Sequence, residues 1–173
     1  MLTLLIKFIQ SLVKSLHSEG TPGQVALGVA LGACLGLTPL MTLHNLLIFA
    51  AIVLLNVSFA GGMLGWALFT PIGFLLDPIS DSIGRALLDA PSLRSVWTEW
   101  YNIPVVPLTE FNNSVVLGSI ILWAFLSVPI FFLARFGIAR YRATIGARVS
   151  QLRIYKAVKA SKVYNLYRLF RPD

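Results

Sequence analysis

From Gly20 to Leu76 the chain carries no Asp, Glu, Lys or Arg. The run reads GTPGQVALGVALGACLGLTPLMTLHNLLIFAAIVLLNVSFAGGMLGWALFTPIGFLL. In water such a segment is an aggregation hazard. In a bilayer it is ordinary, because a spanning helix needs ~20 mostly apolar residues. Composition points the same way: only 12% of the 173 residues are charged, against about 25% in a soluble domain. The fold class expected is all-α, a polytopic membrane protein. Cys34, the lone cysteine, excludes an intrachain disulfide and reads as a small packing residue.

Punctuation divides the run. Thr21-Pro22 with Gln24 has the form of a capping box with proline at the first helical position. The spacing predicts a helix from about Pro22 to Leu37. Gly28, Gly32 and Gly36 give two overlapping G-x-x-x-G repeats, the signature of close helix approach in membranes. Thr38-Pro39 then breaks the helix, since proline restricts the residue before it and donates no backbone hydrogen bond. Sixteen helical residues rise only ~24 Å, short of the ~30 Å hydrocarbon core. The next apolar helix, Leu43 to Asn56, is shorter still. The pair reads as a re-entrant hairpin, with His44 and Asn45 just past the break.

Asn56 marks the next polar interruption. Phe59 to Leu76 follows with Gly61 and Gly65, then a second Thr-Pro at Thr70-Pro71. Paired interrupted segments point to a site between them. Residues 77–110 hold most of the acid: Asp77, Asp81, Asp89, Glu99 and Glu110. Asp77, Asp81 and Arg85 are four apart, and on a helix they share one face. Trp97, Trp100 and Tyr101 are the aromatics of a headgroup-level cap. Phe111 to Ala134 is free of charge and reads as the clearest span.

Both ends are amphipathic. Residues 1–19 place Leu4, Leu5, Phe8, Leu12 and Leu16 opposite Lys7 and Lys14, which suits the membrane interface. No secretory leader is expected there, because the segment lacks a compact apolar core with a cleavage site. From Arg135 to Arg171 there are ten Lys/Arg and no acid, so this end is expected in the cytoplasm. Arg148, Arg153, Lys156, Lys159 and Lys162 line the basic face of its helix and suit anionic lipid headgroups. Lipid accounts for the net charge of +7, and no base-reading motif accompanies it. Nucleic acid is therefore not an expected partner.

The organisation expected is an interfacial helix (1–19), a glycine-rich core with hairpin and one span (20–76), an outer cap (77–110), a return span (111–134) and a basic tail (135–173). Both termini are then cytoplasmic. Three short crossings, in place of hairpin plus one span, satisfy the same parity.

Pro22, Ala26, Gly28, Ala30, Gly32, Gly36 and Pro39, then Asn56, Pro71 and Gly84, form a pattern over residues 20–88. It resembles that of a bacterial inner-membrane family, the domain of unknown function 2062. Thr70-Pro71 stands where many of its members carry Asn-Pro. The resemblance implies a small inner-membrane protein and supplies no activity.

No metal cluster, nucleophile elbow or phosphate loop is visible in the sequence, and no cofactor is expected. The reading is a non-enzymatic inner-membrane protein that handles or translocates lipid-like substrates, alone or as accessory to an envelope assembly. Its candidate contacts are Thr38, Pro39, His44, Asn45, Asn56, Thr70, Pro71, Asp77, Asp81 and Arg85. One alternative is a partner subunit or homo-oligomer using the glycine strip or the cap as its interface. The other is a membrane enzyme on phosphorylated lipids, resting on Asp77, Asp81, Arg85 and His44.

Overall fold

A computed structural model describes residues 20–151, with side chains through residue 144. The amphipathic segment 1–19 and the tail bearing Arg153, Lys156, Lys159 and Lys162 lie outside the described residues. Arg148 lies within a described helix, but its side chain is outside the described set. Five α-helices and two short 3-10 turns make up the described chain, with no strand among those residues.

Helix α1, Pro22–Leu37, begins and ends where its sequence dictates. The Gln24 amide donates to Thr21 Oγ1 at 3.3 Å, and Thr21 N–H donates to Gln24 Oε1 at 2.7 Å. Such a cap is worth about 1 kcal/mol. Helix α2, Leu43–Leu54, returns after the break. Helix α3 runs Phe59–Leu88 and starts on a Ser58 cap that accepts from Gly61 N–H at 3.0 Å. After a turn at Pro91–Leu93, helix α4 covers Arg94–Tyr101, and a second turn spans Val106–Thr109. Helix α5 runs Ser114–Gln151. The chain divides into two compact units at Phe136. The bundle described next belongs to the first.

The glycines decide how α1 meets α3. A Cβ on Gly28 would strike the Ser58 carbonyl, and one on Gly32 the Gly62 carbonyl. On Gly36 it would come within 2.7 Å of the Thr70 amide nitrogen. Gly61, Gly65 and Gly73 answer from α3, each set against a carbonyl of α1. Contacts rise together along both helices, so α1 and α3 are parallel. The strip expected to mediate helix packing is consumed inside the protomer, leaving α1 buried on nearly every side.

A second seam joins α3 to α5. Gly84 abuts the Ser114 carbonyl, and Gly118 abuts that of Ser80. Here the numbers run in opposite senses, so these helices are antiparallel. Trp123 Nε1 donates to the Ala30 carbonyl at 2.8 Å, and Ile130 joins Val29, Ala30 and Ala33 in a core cluster. The cap closes over its own aromatics: Phe111 is buried beneath Trp97, Trp100 and Tyr101. Trp97 Nε1 ties the cap to the Leu87 carbonyl at 2.9 Å.

Thr70-Pro71 does not interrupt the chain, contrary to its resemblance to the first Thr-Pro. Helix α3 continues through Pro71 and Pro78 to Leu88, well past Leu76. A proline inside a helix forfeits one hydrogen bond and costs about 3 kcal/mol, so the helix must be held from outside. Gly73, two residues beyond Pro71, lies against the Gly36 carbonyl, which keeps α3 on its line along α1. The Thr70 hydroxyl also binds the Trp66 carbonyl at 2.7 Å. Helix α5 is likewise longer than its uncharged stretch, continuing beyond Arg135.

Candidate functional site

The break after α1 is closed by side chains. Thr38 Oγ1 lies 2.8 Å from both the Cys34 carbonyl and Asn45 Oδ1, and Thr38 N–H donates to the same Cys34 carbonyl at 3.0 Å. Asn45 Nδ2 donates to the Pro39 carbonyl at 2.6 Å. Thr42 Oγ1 reaches that carbonyl too, at 3.2 Å, and sits 3.2 Å from His44 Nε2. Thr38, Thr42 and Asn45 are all buried. Irregular backbone needs protein partners wherever water is absent, and this polar clasp supplies them.

Two cavities flank the clasp and share Leu35, Leu40 and Trp66 as a common wall. The larger, about 460 Å³, is apolar: Met41, Leu43, Leu46, Phe49 and Leu108 line it, with Thr42 and Asn45 at its inner edge. Leu108 brings the cap onto the break. The smaller, about 230 Å³, lies between the end of α1 and the middle of α3. Leu37, Thr38, Pro39, Thr70, Gly73, Phe74 and Asp77 line it. Together they form one groove, mostly apolar on both sides of the break, with Thr38, Thr70 and Asp77 as the polar groups of the smaller lobe.

Of the residues expected to make contacts, Thr38, Pro39, Asn45, Thr70 and Asp77 gather here. His44 stands beside the groove: Nε2 faces Thr42, while the ring's other neighbours are the Thr109 backbone and Glu110. Its Nδ1 is buried with no hydrogen-bond partner. Asn56 is exposed after the far end of α2, away from the break. Pro71 is exposed and lines neither cavity. Asp81 pairs with Arg85 at 2.9 Å and accepts from the Ser114 hydroxyl, so both belong to the α3–α5 junction. Trp66, Met41 and Leu108 were not singled out by sequence. Trp66 carries a signal, since it stands four residues before the proline-flanking Thr70 in a helix of small residues. Leu108 carries none.

The bacterial family described as "Uncharacterized protein conserved in bacteria (DUF2062)" matches residues 6–144. The chain belongs to this family. The match takes in both glycine seams, the break groove and the cap of this DUF2062 protein. The chain is also similar to an uncharacterized protein of Treponema pallidum, 29% identical over 155 residues, which covers 90% of this chain and 96% of that protein. No solved structure matches.

Proposed function

We propose that this chain is a bacterial inner-membrane protein that takes a lipid-like molecule into the groove at the Thr38-Pro39 break. Helices α3 and α5 are the crossings, α1 and α2 form a re-entrant hairpin, and the cap lies on the outer side, with its Val106–Thr109 turn reaching in to the break. Both termini are then cytoplasmic, with the basic tail on anionic headgroups. The role is non-enzymatic, in handling or translocating the lipid, alone or as accessory to an envelope assembly.

The single supporting observation is the groove. It sets two mostly apolar lobes, the smaller carrying Thr38, Thr70 and Asp77, at a point where a helix turns back partway along its neighbour. Immersion has separate support. Phe59–Leu88 and Ser114–Thr144 are long and apolar enough to cross a membrane, and only 28% of the most apolar window of each is buried. A soluble core helix would be mostly covered. Leu54 on α2, Leu75 on α3 and Leu133 on α5 are among many large apolar side chains facing outward, as lipid requires and water does not allow in such number.

The scaffold reading keeps one feature, the outer face of α2, where Leu46, Leu47, Val53 and Leu54 are exposed. It loses the glycine strip, which α3 already occupies. Of the residues of the enzyme reading, Asp81 pairs with Arg85 and accepts from the Ser114 hydroxyl, while Asp77 lines the groove.

Reconstitution tests the proposal. Headgroup-labelled lipids should bind the purified protein or cross vesicles containing it. Filling the larger lobe with Met41→Trp and Leu108→Trp should abolish this in protein that still purifies intact. Lipids that neither bind nor cross, together with unchanged lipid distribution in cells lacking the protein, would end the lipid reading.

A further inference from the structure

Among the described residues, the smaller lobe of the groove has one charged lining group, and it is negative. Asp77 is half-buried there. Among the described residues it forms no hydrogen bond or ion pair. Asp81, one turn further along α3, is held by Arg85 and Ser114. Arg85 is the only basic residue of α3, and its pairing to Asp81 leaves Asp77 unmet.

The facing wall is the last turn of α1, with Leu35, Gly36 and Leu37. The final carbonyls of a helix have no intrahelical donor and carry the negative end of its dipole. Cys34 is satisfied by the amide and hydroxyl of Thr38. The Leu35 carbonyl has no donor from four positions on, because that residue is Pro39, which has no N–H. One wall thus presents a carboxylate and the other a negative helix end, and among the described residues no basic side chain lines the lobe. A carboxylate at this depth is costly without a counter-charge, and broken-helix C-termini are a recurrent place for cations in membrane proteins.

We propose that this lobe binds a cationic group. Resting on the lipid reading above, that group is the ammonium of a lipid headgroup, with the chains in the neighbouring larger lobe. A free alkali cation carries the same charge without the chains, and the experiment separates the two sources.

The full chain in a neutral detergent is titrated with phosphatidylethanolamine and with phosphatidylglycerol of identical acyl chains, and binding is read by native mass spectrometry. The two lipids share a phosphate and differ in the ammonium. The wild type should bind phosphatidylethanolamine about tenfold more tightly, a factor that one good ion pair supplies. Asp77→Asn should remove the preference. Asp77→Glu should keep most of the preference, and Asp81→Asn all of it. Equal binding of both lipids by the wild type overturns the cation assignment while the lipid reading stands. If neither lipid is retained, the unfolding midpoint in sodium chloride is compared with that in N-methyl-D-glucamine chloride. A sodium-specific rise, lost in Asp77→Asn, supports the cation lobe and removes the lipid. No rise removes both. Should Asp77→Asn fail to fold, the wild-type preference and Asp77→Glu still decide.

Discussion

Thr38 Oγ1 and Asn45 Oδ1 lie 2.8 Å apart across the proline break, joining the end of one helix to the start of the next. The same asparagine donates to the Pro39 carbonyl at 2.6 Å. One side chain of α2 therefore meets two consecutive groups at the end of α1, and the groove's inner edge is built on it. Asn45→Leu keeps the volume and leaves the Pro39 carbonyl and the Thr38 hydroxyl with one partner fewer. The expected loss is about 1–3 kcal/mol, the cost of an unmet buried polar group. Denaturant unfolding in detergent measures it, and a midpoint equal to wild type would remove the clasp from the account.

The two Thr-Pro pairs should respond in opposite ways. Pro71 sits inside a continuous helix, where its missing N–H leaves the Ala67 carbonyl without its usual donor. Pro71→Ala restores that bond, so α3 should gain stability, by up to ~3 kcal/mol on the propensity scale, with lipid retention unchanged. Pro39→Ala permits α1 to continue past Thr38 and should lower lipid retention. Thermal melting with lipid quantified on the purified protein compares them. A loss of retention in Pro71→Ala, with none in Pro39→Ala, would reverse the assignment.

Glycines should divide by what their Cβ would meet. Gly32→Ala drives a methyl group into the Gly62 carbonyl, and Gly84→Ala drives one into that of Ser114. Backbone cannot step aside as a side chain can, so each should cost at least the ~1–3 kcal/mol of overpacking. Gly137 has nothing within 4 Å, so Gly137→Ala should be neutral or gain up to ~1 kcal/mol of helix propensity. Yield of monodisperse protein after size exclusion reports the order.

The Asp81–Arg85 pair should matter little by itself. Arg85 is 70% exposed, and solvent-exposed ion pairs contribute little. Arg85→Ala should leave the unfolding midpoint within error of wild type. A large drop would show that Arg85 serves more than its neighbour.

Local chemistry was legible in the sequence. Thr21, Pro22 and Gln24 announced the start of α1, Thr38-Pro39 its end, and the four-residue spacing of Gly28, Gly32 and Gly36 a close seam. The partner of that seam was not legible, because G-x-x-x-G is the same whether its neighbour is α3 or another molecule. Nor was the fate of Pro71, which depends on Gly73 meeting a carbonyl from α1, a contact 37 positions away in sequence. Helical spacing put Asp77 and Asp81 on one face, yet their roles differ. The break meets Asp77, while Ser114 meets Asp81, and neither relationship is local.

The claim on which the rest stands is that the uncharged segment lies in hydrocarbon and turns back at Pro39 before reaching the other face. Single-cysteine labelling tests it most directly. In a Cys34→Ala background, Met41→Cys at the turn and Asn102→Cys in the cap are each exposed to a membrane-impermeant maleimide, from outside on spheroplasts and from inside on inverted vesicles. The account predicts that Asn102→Cys reacts from outside only and that Met41→Cys reacts from neither side, although Met41 is 93% exposed in the protein itself. Labelling of Met41→Cys from the outer face as readily as Asn102→Cys would contradict it.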